Sequence, residues 1–200
     1  MLKQKKNKLV LGVTGSMGSG KSTVARMFKD GHCQLIDADK LAHASLGTSG
    51  VYKKIVASFG DGILKDNKRI DRAKLARLAF ANKAALSRLN NIVHQAVIAE
   101  IKRRIKDSEK EIIILDAALI IEAGLKKMVD KLVVVKADRE QLILRSQKRL
   151  ALSKNDISRR MKYQISQNAK MRLADFIIDN SGIISKTRKQ VSEIRRTLAR

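Results

Sequence analysis

The 200-residue chain has no proline, no tryptophan, one cysteine and only 3% aromatic residues. Average usage would place about ten prolines in a chain of this length. Their absence marks a biased composition, from a restricted residue alphabet or a biased genome. It excludes proline kinks and prolyl cis peptides, and it removes the usual helix-stop signal. With Cys33 alone no internal disulfide can form, and a reducing, cytoplasmic setting is expected. Cys33 lies in a predicted strand and reads as a packing residue rather than a reactive thiol. No apolar run approaches the ~18 residues that span a bilayer, so no membrane segment is expected. The basic start, Met1 to Lys8, is expected to fray, and the apolar run behind it is too short for a secretory signal. Acidic residues are scarce as well: 43 Lys and Arg against 19 Asp and Glu give a net charge of +24. That charge predicts incidental attraction to polyanions at low salt. The cations are spread along the whole chain, and with so few aromatics there is little to stack on bases.

What is present begins with Gly15-Ser16-Met17-Gly18-Ser19-Gly20-Lys21-Ser22, a fit to G-x-x-x-x-G-K-[ST]. It follows the apolar run Leu9 to Val13, read as a buried strand, and precedes a helix start at Thr23. Glycines let the backbone wrap closely around phosphate oxygens, and the inward N–H groups form an anion nest. The helix N-terminus behind the loop adds partial positive charge. Lys21 is suited to reach the β- and γ-phosphates, and the Ser22 hydroxyl to ligate Mg²⁺. Gly15, Ser16, Met17, Gly18, Ser19, Gly20, Lys21, Ser22 and Thr23 are therefore candidate ATP-binding residues, with Ser22 the metal candidate.

Four further strands are predicted at His32–Asp37, Glu111–Asp116, Lys131–Lys136 and Asp175–Asn180. Continuous apolar runs suit a parallel sheet covered on both faces, and helical patterns lie between them, so the class is α/β. The long stretch between the second and third strands exceeds one crossover helix. Leu86, Leu89, Val93, Val97, Ile101 and Ile105 keep helical spacing there, and Ile70-Asp71-Arg72 reads as another helix start. A second helical segment, 139–173, carries Arg145, Lys148, Arg149, Lys154, Arg159, Arg160 and Lys162, most of them expected on solvated faces. Arginines on helices reaching over a phosphate site make a kinase lid. Ile184, Thr187, Val191, Ile194 and Leu198 form the stripe of a final helix packed on the sheet.

Asp37-Ala38-Asp39 falls at the carboxyl end of the second strand, where ligands bind in open α/β sheets. One of the two carboxylates is expected to face the site and accept or orient a proton; the other is expected to cap the following helix. Asp39 is favoured for the site.

The phosphate loop, Ile36-Asp37-Ala38-Asp39, Leu119-Ile120-Ile121-Glu122 and Ala174-Asp175-Phe176-Ile177-Ile178-Asp179-Asn180-Ser181-Gly182 occur in the order and spacing found in dephospho-coenzyme A kinases. The chain resembles that family over nearly its whole length. The loop alone is generic, whereas the I-D-A-D and A-D-x-x-I-D-N-x-G pieces are specific. The resemblance implies a P-loop kinase core with a five-stranded parallel sheet, a helical substrate (CoA) insertion and a helical lid. A single domain 1–200 is expected, with core 8–48, 109–138 and 174–200, insertion 49–108 and lid 139–173. It implies transfer of the γ-phosphate of ATP to the ribose 3′-hydroxyl of dephospho-CoA, with Mg²⁺, in the last step of coenzyme A synthesis. By resemblance Asp39 is the catalytic aspartate, Lys21 and Arg145 serve the ATP phosphates, and Asn180 lies near adenine. Glu122 and His94 line the acceptor side. The family usually has His-Pro where this chain has His94-Gln95, Pro-Leu-Leu where it has Ala118-Leu119-Ile120, and often Arg-Asp where it has Arg149-Leu150. The first two departures follow the missing-proline theme and bear on pocket rigidity; Leu150 removes an acidic partner of a lid arginine.

A nucleoside or nucleoside-monophosphate kinase would share this core and lid. A nucleic-acid-stimulated ATPase would fit the charge. A guanine-reading N-K-x-D sequence is absent, which argues against a GTPase.

Overall fold

Five apolar runs become strands: β1 Leu9–Gly15, β2 Cys33–Asp37, β3 Ile112–Asp116, β4 Lys131–Lys136 and β5 Phe176–Asp179. A computed structural model describes residues 8–198. The expected frayed start therefore lies, up to Asn7, outside the described residues. All strand pairs are parallel, in the order β2-β3-β1-β4-β5. Val133, Val134 and Val135 are consecutive and all fully buried, which alternating sides of a strand allow only when both faces are covered. Cys33 is buried in β2, as its packing role requires.

One face is covered by α1 (Lys21–Phe28) and α9 (Ile184–Leu198). Val24, Ala25 and Phe28 of α1 and Val191 and Ile194 of α9 share a cluster with Leu11, Val13, Ile114, Val133 and Ile178. The central strand β1 has β3 on one side and β4 on the other. The chain leaves β1 through α1 toward the β2–β3 side and later returns to the β4–β5 side. This reversal opens a crevice at the carboxyl ends of the strands.

The segment predicted as a lid forms three helices, α6 (Arg139–Leu150), α7 (Lys154–Met161) and α8 (Gln167–Met171), within the sheet-bearing unit. Without proline or glycine at the α6 terminus, Ala151 takes the left-handed C-terminal position at φ 51°. Ser153 then starts α7 by accepting the Asp156 N–H at 3.1 Å. Lys148, Arg149, Lys154, Arg159 and Lys162 are exposed, whereas Arg145 is partly buried.

Residues 38–106 make a second compact unit. It contains α2 (Ala38–Ser45), α3 (Ser49–Phe59), α4 (Arg72–Ala79) and most of α5 (Lys83–Asp107). The helical unit thus begins at Ala38, ahead of the expected start at 49. The reason is α2: its Leu41, Ala44 and Ser45 border the same cavity, about 480 Å³, as Val97 and Glu100 of α5. Asp71 caps α4 through the N–H groups of Ala73 and Lys74, at 2.9 and 3.1 Å. Val93, Val97 and Ile101 form the buried part of the predicted α5 stripe. No helix among the described residues is long and apolar enough to cross a membrane.

Candidate active site

The phosphate loop is residues 15–22, running from the end of β1 into α1. Ser19 N–H donates to Ser16 O at 3.0 Å and closes its turn. Gly18 and Gly20 take left-handed φ values of 82° and 85°, which L-residues with side chains adopt rarely. Gly20 occupies the N-cap of α1, so Lys21 and Ser22 open the helix with amides that have no carbonyl one turn back. A cradle of N–H groups at a helix N-terminus is suited to anions.

Lys21 is buried, and its Nζ lies 3.1 Å from Asp116 Oδ1, which is itself only 1% exposed. Lys21 Nζ also donates to Ser22 Oγ at 3.3 Å. Asp116 ends β3, in register with Val13 of β1 and Asp37 of β2. Sequence reasoning assigned no role to this aspartate. The signal was present: an apolar strand ending in Asp beside the strand that bears the phosphate loop is how P-loop enzymes supply a second oxygen for Mg²⁺. Ser22 and Asp116 together offer a hydroxyl and a carboxylate, hard oxygen donors of the kind Mg²⁺ takes from a protein while keeping waters and phosphate oxygens.

Asn180, just past β5, is buried beside the loop. Its Nδ2 donates to Ser19 O at 2.8 Å, and its Oδ1 accepts from Thr187 Oγ1 at 2.9 Å. Arg145 of α6 donates from a guanidinium nitrogen to Asn180 O at 3.0 Å. The loop, Lys21, Ser22, Asn180 and Arg145 thus come together. The aspartates of the same motif serve the backbone: Asp175 accepts the Leu132 N–H at 2.8 Å, and Asp179 accepts the Ser181 N–H at 2.8 Å. Asp179 also pairs with Lys136 at 2.7 Å. That lysine, with further help from Ser181, lowers its carboxyl pKa to about 2.

The segment predicted as a lid is tied to the rest of the sheet-bearing unit at its far end. Met17 N–H donates to Gln164 Oε1 at 3.1 Å, Gln167 exchanges two hydrogen bonds with the Ala137 backbone, and Ile165 N–H donates to Glu122 Oε1 at 2.9 Å. Lys170 is fully buried, with Nζ 2.9 Å from Glu122 Oε1 and 2.7 Å from Ala118 O. Thr14 Oγ1 donates to the same Ala118 carbonyl at 3.1 Å. A proline at 118 would keep that carbonyl, so the Ala118 departure leaves this acceptor intact. Lys170 was not singled out from the sequence. Glu122, expected on the acceptor side, braces residues 165 and 170, and its Oε2 is buried without a hydrogen-bond partner.

Asp37 closes β2 in the sheet-bearing unit, while Asp39 stands in the first turn of α2 in the helical unit. The two aspartates are therefore separated by the change from strand to helix. His94, on α5 in the helical unit, is partly buried, and burial lowers its pKa from the ordinary imidazole value. Gln95 beside it is exposed.

A family model described as dephospho-CoA kinase matches residues 9–186. The chain belongs to the dephospho-CoA kinase family. A dephospho-CoA kinase of Aquifex aeolicus is 42% identical over 192 residues, covering 95% of this chain and 97% of the relative. A solved protein from Thermus thermophilus superposes with a TM-score of 0.82 at 26% identity, covering 97% of this chain and 98% of its own. The dephospho-CoA kinase from Campylobacter jejuni gives a TM-score of 0.68 at 28% identity, over 94% of this chain and 96% of its own. The family match spans both the sheet-bearing and the helical unit, in keeping with the P-loop kinase architecture expected from the sequence.

Proposed function

We propose that the chain is a dephospho-CoA kinase: with ATP it phosphorylates dephospho-CoA, giving coenzyme A and ADP. The observation that carries this reading is a family match over residues 9–186, within which Lys21 and Asp116 pair at the mouth of the phosphate loop. The acceptor atom is the ribose 3′-oxygen. It forms the new bond to the γ-phosphorus, the bond from that phosphorus to the β,γ-bridging oxygen breaks, and ADP leaves. We assign to Asp39 the carboxylate that takes the hydroxyl proton, on the strength of the family resemblance and its place two residues past β2. The loop amides and Lys21 hold the β- and γ-phosphates, and Arg145 meets charge on the transferring group. Holding both reactants in line is most of the catalysis in such a reaction. Ser22 and Asp116 are the residues suited to hold Mg²⁺, which when bound neutralises charge on the phosphate oxygens. His94 is assigned to the acceptor side by resemblance. For Glu122 the hydrogen bonds to Ile165 and Lys170 favour a bracing role over direct contact with the acceptor. A cytoplasmic location suits an ATP-dependent enzyme with a lone, buried thiol at Cys33.

The test is ADP release with dephospho-CoA, beside AMP, UMP, CMP and nucleosides. Dephospho-CoA is expected to be the fastest acceptor; much faster turnover of a nucleotide or nucleoside would overturn the assignment. Asp39→Asn is expected to fold and bind ATP while losing at least about a hundredfold in turnover, the scale of a positioned proton acceptor. Unchanged turnover would remove Asp39 from its role.

A further inference from the structure

Asn180 is only 6% exposed, and four of its polar groups are spoken for. Its N–H donates to Lys136 O at 2.9 Å, continuing the β4–β5 ladder beyond the last residue of β5. Its carbonyl accepts from Arg145, its Oδ1 from Thr187, and its Nδ2 donates to Ser19 O. Chemistry fixes which end of the amide faces which partner. The Ser19 carbonyl can only accept, so the NH₂ end must face it, and the Thr187 hydroxyl supplies the proton to Oδ1.

In a trans peptide the C=O and the following N–H lie in one plane and point in opposite directions. Ser19 O accepts from Asn180, so the Gly20 N–H is turned the other way, away from Asn180. Gly20 sits at φ 85°, and a Cβ built on it would overlap Asn180 Nδ2. The missing side chain of Gly20 and the amide of Asn180 are therefore two halves of one arrangement. In an anion nest the direction of each N–H is the binding site itself. Preset amides also spare the reorganisation that binding would otherwise require.

We propose that Asn180 is a positioning residue of the phosphate loop: it presets the Ser19–Gly20 peptide for phosphate, is held in register by Thr187, and carries Arg145 on its carbonyl. It thereby links one loop amide to the lid arginine. The inference rests on the reading of this loop as the ATP site and differs from a contact to the adenine ring. It makes a distinct prediction: Asn180 matters to any ligand that carries the polyphosphate, with or without a base.

The experiment titrates ADP and inorganic tripolyphosphate separately by calorimetry into wild type, Asn180→Ala, Thr187→Val and Thr187→Ser, and compares KM for dephospho-CoA where turnover persists. Asn180→Ala is expected to weaken both ADP and tripolyphosphate about tenfold, the scale of one well-placed hydrogen bond, with KM for dephospho-CoA within about twofold of wild type. Thr187→Val, which frees the amide to turn, moves both ligands the same way by a smaller factor; Thr187→Ser, which keeps the hydroxyl, restores them. If Asn180→Ala does not fold, the Thr187 pair carries the comparison. Weaker ADP with unchanged tripolyphosphate would assign Asn180 to the nucleoside end and overturn the proposal. So would unchanged binding of both, or an equal loss in KM for dephospho-CoA. Should wild type bind both ligands in this Asn180-dependent way yet fail to phosphorylate dephospho-CoA, the loop proposal stands and the acceptor assignment falls.

Discussion

Replacing Lys170 by methionine isolates what the buried lysine does. Methionine has nearly the same length and fills the same volume, so no cavity term enters. The Ala118 carbonyl loses one donor but keeps Thr14 Oγ1 at 3.1 Å. Glu122 fares worse. Its Oε1 keeps the Ile165 N–H at 2.9 Å, but its Oε2 has no hydrogen-bond partner, and the ammonium 2.9 Å away is gone. Removing one member of a buried ion pair costs about 3–5 kcal/mol, because the other charge stays behind uncompensated. The Glu122 side chain is 15% exposed and retains one amide donor, which argues for the lower end, about 3 kcal/mol. For a chain of this size each kcal/mol lowers Tm by about 2–4 °C, so a fall of ~6–12 °C is expected by scanning calorimetry. The double variant Lys170→Met/Glu122→Gln removes both charges, while the glutamine oxygen still accepts from Ile165. It is expected within about 1 kcal/mol of wild type, since discharging a buried pair together is close to neutral. A Lys170→Met loss below about 1 kcal/mol, or a double variant no more stable than the single, would refute this account of the brace.

Two further outcomes follow from groups at the strand ends. Asp116→Asn keeps the shape beside Lys21 but discharges it, and is expected to lower turnover about a hundredfold or more and to raise the Mg²⁺ needed for half-saturation; a Mg²⁺ titration of ADP release that matches wild type would exclude Asp116 from the metal site. Asp179 titrates at about 2, below the 3.8 of a free carboxyl, because Lys136 and Ser181 hold its charged form. A depressed folded pKa contributes stability that is fully present above about 3.8 and is lost as pH falls toward 2. A carboxyl NMR titration should therefore place its midpoint near 2 in wild type and higher in Lys136→Met.

The sheet was legible from the sequence because strands buried on both faces leave a local trace: Lys131-Leu132-Val133-Val134-Val135-Lys136 is apolar without alternation, and no other part of the chain is needed to read it. The phosphate loop was legible for the same reason, since its glycines and Lys21 lie within eight consecutive positions. What escaped was polar chemistry completed by remote partners. Lys170 looks like one more cation in a basic helical segment; only Ala118, 52 positions away, and Glu122 make it a buried brace. Asp116 reads as the polar end of a strand until the sheet order sets β3 directly beside β1 and brings Lys21 to it. Asn180 was visible as a motif residue, but the Ser19 carbonyl it holds lies 161 positions away. A motif marks which residue carries a role, and topology supplies the partner that defines it. That is why Asn180, expected from resemblance to lie near the adenine, acquires a role in orienting the Gly20 amide only once β5 is laid against β4 and its following residue meets the loop.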